Sequence, residues 1–263
     1  MKLYGEYINL RPREMVEIRD ATPVAYMGTG ILEWHGLHAP FGFDGIKTDA
    51  IAHYLAERLG GVVMPPQHWG DYRLRFAEVE FDETFQPDFS LPENHFDHTV
   101  YIRELMGVSK EAYQKDTERS REYGGWDLWE KLMARTMFEI ETLGFKAIIL
   151  IPGHHPSTEP LKNAIERYKR EGGESKVICL TELNYPADGL VGDHAAAFET
   201  SMMLALRPDL IDLSELGGDL TKPNIGVIGH DPRTRASKET GEKVLEQFLL
   251  AATEFLKENG FID

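Results

Sequence analysis

The order of short apolar runs in residues 23–64 limits the possible folds of this chain more than any other feature. Residues 23–27, Pro-Val-Ala-Tyr-Met, end at a glycine and predict a buried strand. A glycine-rich loop follows, and apolar residues then recur at helical spacing over 48–59 before two glycines end the helix. A second short strand is predicted over 62–64. This strand–loop–helix–strand order is typical of a parallel β-sheet covered by helices, which is the α/β fold class.

Later segments continue the alternation of strands and helices. The clearest strand of the chain covers 147–151, Ala-Ile-Ile-Leu-Ile, and follows an amphipathic helix predicted over 128–143. Further strands are predicted over 177–180 and 225–228, and further helices over 12–20, 161–170, 195–206 and 238–258. The chain has no internal repeat, and 263 residues suit one large α/β domain. We therefore expect a single domain over residues 1–263 with a mostly parallel sheet.

One segment, about 67–130, departs from this rhythm. It is polar and interrupted by prolines, yet it is rich in aromatic residues, and a charged helix is predicted over 109–121. Aromatic residues in a polar segment favour a contact surface, so we interpret the segment as a partly helical insertion over an active site or between subunits. A second small core packed on the domain fits the same pattern equally well.

Charge and cysteine content narrow the functional classes. The formal net charge is -16, which argues against nucleic acid and anionic membrane surfaces, since both need a basic face on the protein. Cys179 is the single cysteine and lies in an apolar run, so we expect a buried residue in a cytoplasmic protein without an intrachain disulfide. No apolar run approaches the ~20 residues that a membrane-spanning helix needs.

Potential metal ligands follow two of the predicted strands directly. Glu33, His35 and Asp44 lie within a dozen residues in the glycine-rich loop after the first strand, and His154 follows the strand over 147–151. In doubly wound α/β folds ligands bind at the carboxyl ends of the strands. If these two strands are neighbours in the sheet, His154 meets the other three side chains. Nitrogen and oxygen ligands without thiolates suit zinc or manganese.

A third group of candidates surrounds the start of the apolar helix at 195–206. Asp193 and His194 precede this helix and Glu199 lies inside it. A buried acid in a helix lined by alanine, phenylalanine and methionine needs a reason, and metal coordination is one. His38 fits a position behind the metal site and an ordinary loop position equally well. His155 is expected to line a pocket or face solvent.

Three blocks of the chain resemble the creatininase (creatinine amidohydrolase) family. The stretch Glu-Trp-His-Gly-Leu-His-Ala-Pro from Glu33, followed by Asp44, resembles the family's Glu-Gln-His-Gly-x-His-x-x … Asp signature. Gly-His after the strand at 147–151 is similar to its Asn-Gly-His turn. Residues 194–208 are similar to a third block, a histidine followed by Glu-Thr-Ser-x-x-Leu-Ala-Leu-x-Pro. A C-terminal block over 229–242 matches weakly.

The resemblance implies a three-layer α/β/α fold, a two-metal hydrolytic centre and often a hexamer. It places Glu33, His35, Asp44 and His154 on the family's metal ligands, with Asp44 bridging both ions. Creatininase itself has a ligand glutamate where this chain has Pro156, and other members use the glutamate of the third block, which is Glu199 here. Because the ligand glutamate is at a different position from that of creatininase, the resemblance does not specify the substrate.

The resemblance implies a metal-dependent amidohydrolase. Two divalent ions about 3.5–4 Å apart share a hydroxide and polarise a carbonyl oxygen. The leaving nitrogen needs a proton, for which His194 is the candidate general acid/base, with Asp193 orienting it. We expect a small-molecule substrate, a cyclic amide or formamide-type compound cleaved at a non-peptide C–N bond, and a homo-oligomer. The alternatives are a catalytically inactive metal- or ligand-binding protein on the same fold and, more weakly supported, a phosphoesterase.

Overall fold

The computed structural model describes residues 2–69, 104–222 and 224–262. Their strands form one parallel sheet in the order β1-β3-β2-β4-β5. The strands are β1 (Tyr4–Glu6), β2 (Val24–Thr29), β3 (Gly61–Val63), β4 (Ala147–Pro152) and β5 (Lys176–Cys179). The two central strands, β2 and β4, are neighbours, as the interpretation of the loops required.

Helices cover both faces of the sheet. In chain order they are α1 (Pro12–Ala21), α2 (Phe43–Leu59), α3 (Lys110–Glu122), α4 (Gly125–Thr142), α5 (Thr158–Arg170), α6 (Ala197–Leu206), α7 (Pro232–Arg235) and α8 (Lys238–Glu258). Helices α2, α6 and α8 pack on one face, and α1, α4 and α5 pack on the other. The predicted three-layer α/β/α fold is confirmed.

The alternating side chains of β2 and β4 divide the core into two layers. Every residue of both strands is buried, as expected for parallel strands covered on both faces. Val24 and Tyr26 point toward α2, α6 and α8, whereas Ala25 and Met27 point toward the opposite helices. The uninterrupted apolar runs in the sequence are therefore explained by burial on both sides of the sheet.

Three elements differ from the sequence-based predictions. Strand β1 was not predicted, because Tyr-Gly-Glu is short, half-buried and without an apolar pattern. Helix α2 begins at Phe43 and not at residue 48, which places Asp44 in its first turn. Residues 225–228 form no strand; Ile228 makes only an isolated bridge with His194. Two glycines near the start of α2, normally poor helix residues, account for the late predicted start.

The segment 67–130 is described in part. Helix α3 confirms the predicted charged helix, with the Ser109 hydroxyl accepting a hydrogen bond from the Ala112 N–H at its start. Helix α4 begins at Gly125 and buries Trp129 against the sheet, so the end of the segment belongs to a core helix. Residues 70–103 lie outside the described residues, and the insertion itself stays a prediction. Among the described residues, no helix is both long and apolar enough to cross a membrane.

Candidate metal centre

Two glycines allow the loops after β2 and β4 to converge on the start of α2. The Gly153 N–H donates to the Thr29 carbonyl over 2.7 Å, which continues the pairing of the two strands into their loops. A Cβ at Gly153 would lie 2.4 Å from the Asp44 carbonyl oxygen, and one at Gly30 would lie 2.2 Å from the Gly45 nitrogen. No side chain fits at either position, so the backbone of both loops can approach the helix that carries Asp44.

The first ligand group consists of Glu33, Asp44 and His154. Their ligand atoms lie within 4.8 Å of one another, and all three residues are buried. His154 Nδ1 is 3.1 Å from Glu33 Oε2 and 3.6 Å from Asp44 Oδ2. The three side chains come from two strand-end loops and a helix, which is the convergence that the sequence interpretation predicted.

The second ligand group consists of His35, Asp44 and Glu199. His35 Nε2 is 3.1 Å from Asp44 Oδ1 and 3.7 Å from Glu199 Oε2. His35 Nδ1 lies 3.2 Å from the Glu33 carbonyl oxygen, so a proton on Nδ1 leaves the Nε2 lone pair directed at the carboxylates. Asp44 belongs to both groups, with one oxygen toward each, which is the geometry of a bridging carboxylate.

The residues of the two groups fit divalent cations. Within the part of the chain that the structure describes, both carboxylate oxygens of Glu33 and both of Asp44 are buried without a hydrogen-bond partner. Four buried oxygens of this kind would destabilise the fold by several kcal/mol unless a cation or proton compensated for them. In the described ion pairs of these oxygens, every nitrogen belongs to an imidazole ring. Imidazoles are themselves common metal ligands.

The pKa values of the pair formed by His35 and Asp44 show how strongly the pocket attracts positive charge. Burial lowers the pKa of His35, but the Asp44 carboxylate outweighs burial and raises it to about 9. Burial raises the pKa of Asp44, yet the charge and proximity of His35 bring it well below its usual range. Without a metal ion the pocket therefore holds a proton, which a metal ion would displace.

His194 borders the first ligand group. Its Nε2 lies 3.1 Å from the Trp34 carbonyl oxygen, and its Nδ1 lies 3.9 Å from Glu33 Oε2. Its ring stands 4.4 Å from the ring of His35, and 14% of its side chain is exposed. With the Nε2 proton directed at the Trp34 carbonyl, Nδ1 is the ring nitrogen that faces Glu33 at the edge of the candidate metal pocket.

Asp193 contacts the helix that carries Glu199. Its carboxylate accepts hydrogen bonds from the N–H groups of Phe198, over 2.8 Å, and Glu199, over 3.1 Å. Burial, supported by the charge of Glu199, raises the pKa of Asp193 to about 7. These bonds fix the first turn of α6, so Asp193 is connected to the metal centre through Glu199.

Sequence reasoning missed Lys47 and Glu182, which form a third buried group beside the ligands. Lys47 Nζ lies 2.6 Å from Glu199 Oε1 and 2.9 Å from Glu182 Oε1. His155 Nε2 lies 2.7 Å from the same oxygen of Glu182. A signal existed for both residues: Lys47 lies three positions after Asp44 in a helix, and Glu182 follows the apolar run of β5.

The other loop histidines lie behind the ligands or beside the new group. His38 is buried, with Nε2 3.0 Å from the Thr200 hydroxyl, and burial lowers its pKa to about 4. His38 therefore contacts α6 and belongs to neither ligand group. This favours a position behind the candidate metal site over an ordinary loop position. His155 is 23% exposed at its side chain and contacts Glu182.

Comparison with known proteins gives consistent results. The family model for creatinine amidohydrolase matches residues 125–256. Creatinine amidohydrolase of Pseudomonas putida is 27% identical over 266 aligned residues, which cover 89% of each chain. A solved creatininase variant described as Zn-Zn type has a TM-score of 0.64 and 22% identity over 97% of both chains. A solved structure titled Creatininase Mn has a TM-score of 0.62 and 22% identity over 98% of this chain and 99% of that one.

The fold and the two ligand groups together define the class of this protein. The chain is an α/β/α protein with a candidate centre for divalent metal ions between the loops at the carboxyl edge of its sheet. The family model matches half of the chain, in the half that contains His154 and Glu199. The protein therefore belongs to the creatininase family.

Proposed function

We propose that this protein is a metal-dependent amidohydrolase that cleaves a non-peptide C–N bond in a small molecule. The observation that carries the proposal is the set of four buried carboxylate oxygens on Glu33 and Asp44, for which residues 2–69, 104–222 and 224–262 supply no hydrogen-bond partner. Family membership supplies the reaction class, and the curated relative from Pseudomonas putida is a creatinine amidohydrolase.

Two divalent ions are proposed as cofactors, zinc and/or manganese. Glu33, Asp44 and His154 would hold one ion, and His35, Asp44 and Glu199 the other, with Asp44 shared. Creatininase structures of Zn-Zn type and with Mn support these metals. Bound together, such ions supply a water of lowered pKa and polarise a substrate carbonyl.

His194 is the proposed proton carrier. The Trp34 carbonyl holds the Nε2 proton, so Nδ1 is the atom that takes up a proton beside Glu33 and delivers it to the leaving nitrogen. Asp193 would act with it by holding the start of α6 and the Glu199 carboxylate in position. The partial exposure of the His194 side chain, 14%, supports a position that a substrate could reach.

The substrate is proposed as a small cyclic amide or formamide-type compound. A creatininase structure complexed with creatine shows that a fold neighbour binds a small guanidino compound. Glu199 would here supply the carboxylate that creatininase takes from the position of Pro156. We further propose a homo-oligomer, a hexamer in particular, and a cytoplasmic location.

Metal reconstitution tests the proposal. The purified protein is stripped with a chelator, reloaded with Zn²⁺ or Mn²⁺, and assayed against a panel of cyclic amides and formamides. We expect two ions per chain and activity that depends on them. His154→Ala should lose the activity and keep the circular dichroism spectrum of the fold. A wild-type protein that takes up no divalent ion at stoichiometric level would refute the proposal.

The alternative is an inactive metal- or ligand-binding protein on this fold. The observation that favours it is the ammonium of Lys47 on Glu199 Oε1, because it engages one oxygen of a proposed ligand. Protein that binds two ions and hydrolyses nothing in the panel would support this alternative over the amidohydrolase.

A further inference from the structure

Lys47 is a fully buried cation next to the proposed metal centre. Its side chain is 0% exposed, and it lies on α2 three residues after Asp44. A buried ammonium without compensation costs several kcal/mol, so its partners must account for its presence. Burial lowers its pKa, but the carboxylates of Glu182 and Glu199 outweigh burial and raise the pKa above its usual range.

The ammonium of Lys47 has an acceptor for each of its three protons. These acceptors are Glu199 Oε1 at 2.6 Å, Glu182 Oε1 at 2.9 Å and the Gly153 carbonyl oxygen at 3.3 Å. The ring of Phe43 adds a cation–π contact at 5.4 Å. This coordination by oxygen atoms from separate elements resembles the environment of a bound metal ion more than that of a surface ion pair.

Two of the three acceptors of Lys47, Glu182 and Glu199, also belong to a group that could bind a metal ion. His155, Glu182 and Glu199 present ligand atoms within 4.8 Å of one another, in the same manner as the two proposed ligand groups. Lys47 Nζ contacts two of these three residues. The chain therefore supplies its own cation to the third group.

The balance of charges around the centre agrees with a lysine ammonium in the third group and metal ions in the other two. Four carboxylates of the described residues are buried there, those of Glu33, Asp44, Glu182 and Glu199. The ammonium of Lys47 balances one of them. The three that remain match the carboxylates of the two ligand groups.

The position of Glu199 links Lys47 to the metal ligands. Its Oε1 contacts Lys47, whereas its Oε2 accepts a hydrogen bond from the Ala195 N–H over 2.8 Å and lies 3.7 Å from His35 Nε2. Lys47 thus holds one oxygen of Glu199 and leaves the other facing the second ligand group.

On these observations, and given the proposed two-metal centre, we propose that Lys47 is a positioning residue of that centre. Its ammonium fills a cation pocket formed by His155, Glu182 and Glu199, and thereby limits the centre to two divalent ions. It also restricts Glu199 to one oxygen for the metal. Removal of the ammonium should open the pocket to a third ion.

The test is the number of metal ions per chain in Lys47→Met, measured by elemental analysis after Mn²⁺ or Zn²⁺ loading and desalting. The wild-type protein is expected to retain two ions and Lys47→Met three. Electron paramagnetic resonance of the Mn²⁺ form should show the additional ion. Lys131→Met is the matched control, because Lys131 is 55% exposed and paired with Asp127 on the surface of α4. Its ion count should equal that of the wild-type protein.

A double variant keeps the proposal testable if Lys47→Met does not fold. Lys47→Met with Glu182→Gln removes one positive and one negative charge, so the net charge of the pocket is the same as in the wild-type protein. It should bind two ions, the second with roughly 10-fold or more weaker affinity, because Glu199 has lost the partner that orients it.

Each outcome of these measurements either supports or overturns the proposed role of Lys47. Three ions in Lys47→Met, or weaker second-ion binding in the double variant, supports the proposal. Two ions in a folded Lys47→Met with wild-type affinity overturns the role of Lys47 and leaves the proposed function intact. A double variant that binds the second ion with wild-type affinity likewise overturns the role of Lys47 and leaves the proposed function intact. A wild-type protein without metal overturns the proposed centre and this inference together.

Discussion

Two neighbouring pockets at the carboxyl edge of the sheet contain the same kinds of side chain and differ in what balances their charge. In the pocket of Glu33, Asp44 and His154, the carboxylate oxygens are buried without hydrogen-bond partners among the described residues. In the pocket of Glu182 and His155, a carboxylate oxygen accepts from Lys47 over 2.9 Å and contacts His155 over 2.7 Å. Histidine and buried acid are therefore not sufficient to indicate a metal site; a lysine ammonium bound to the same acid must also be lacking.

The difference between the two pockets predicts which substitutions affect metal binding and which affect folding. Glu33, whose carboxylate has no hydrogen-bond partner among the described residues, does not stabilise the metal-free fold, and its role appears when a cation binds. Glu182 pairs with Lys47 and lies outside the two ligand groups, so its removal leaves a buried charge unbalanced. Substitutions in each pocket can separate these two consequences.

The largest expected effect is that of Asp44→Asn, because Asp44 is shared by both ligand groups. We expect the affinity for both ions to fall roughly 100-fold or more and the hydrolytic activity by about 1,000-fold. Titration calorimetry with Zn²⁺ and initial rates on the best substrate of the panel measure these changes. Asp49→Asn, on the same helix but outside the ligand groups, is the control and should bind metal normally. Unchanged metal affinity in Asp44→Asn would exclude a bridging role.

The next effect concerns stability without metal. Glu182→Ala leaves Lys47 and His155 without their shared acceptor, so the free energy of unfolding should fall by about 3–5 kcal/mol. Glu33→Gln removes a buried charge that has no hydrogen-bond partner among the described residues, so the metal-free protein should be at least as stable as the wild-type protein. Urea denaturation of the chelator-treated proteins compares the two. Equal losses in both variants would contradict the distinction between the pockets.

The candidate ligands could be proposed from the sequence because each lies in or directly after a predictable strand or helix. Glu33, His35 and His154 follow β2 and β4, and parallel strands present their carboxyl ends at one edge. Adjacent strands then bring these residues together without further information. Glu199 was identified by its contrast with the apolar helix around it.

Lys47 and Glu182 escaped sequence reasoning for a physical reason. Charged side chains are almost always exposed, so a lysine in a helix predicts a solvated surface unless its partner is known. The spacing from Asp44 to Lys47 acquires meaning only when α2 is known to begin at Phe43. The partner, Glu182, lies 135 residues away in sequence, and only the folded sheet places it beside Lys47.

The proton balance of metal uptake should also distinguish the pockets. His35 has a pKa of about 9 in the metal-free protein, so near pH 7.5 it is protonated and must release about one proton when a metal ion binds. Metal affinity should therefore rise with pH up to about 9. Calorimetry in buffers of different ionisation enthalpy measures the release. Lys47 keeps its proton in this process, because its pKa is raised above the usual range.

The same shift in His35 has a consequence for stability. Its folded-state pKa of about 9 exceeds the ordinary value of 6.5, so its contribution to the metal-free fold is present below pH 6.5. That contribution is lost as the pH rises through about 9. The melting temperature of the chelator-treated protein should fall over this range, and that of the metal-loaded protein should fall less. A metal-free melting temperature that rises from pH 6.5 to 9 would contradict the pairing of His35 with Asp44.

The smallest expected effect is at Asp193, which separates positioning of α6 from a direct part in proton transfer. Asp193→Ala removes the acceptor for two N–H groups of α6 and should lower the free energy of unfolding by about 1–2 kcal/mol. Asp193→Asn keeps one acceptor oxygen for one of these two N–H groups and removes a carboxyl group whose pKa burial raises to about 7, so its loss of stability near pH 7 should be smaller than that of Asp193→Ala. If Asp193 acts only by holding Glu199, Asp193→Asn keeps second-ion affinity and the pH profile of the reaction. A changed pH profile with unchanged metal affinity would instead connect the Asp193 charge to His194.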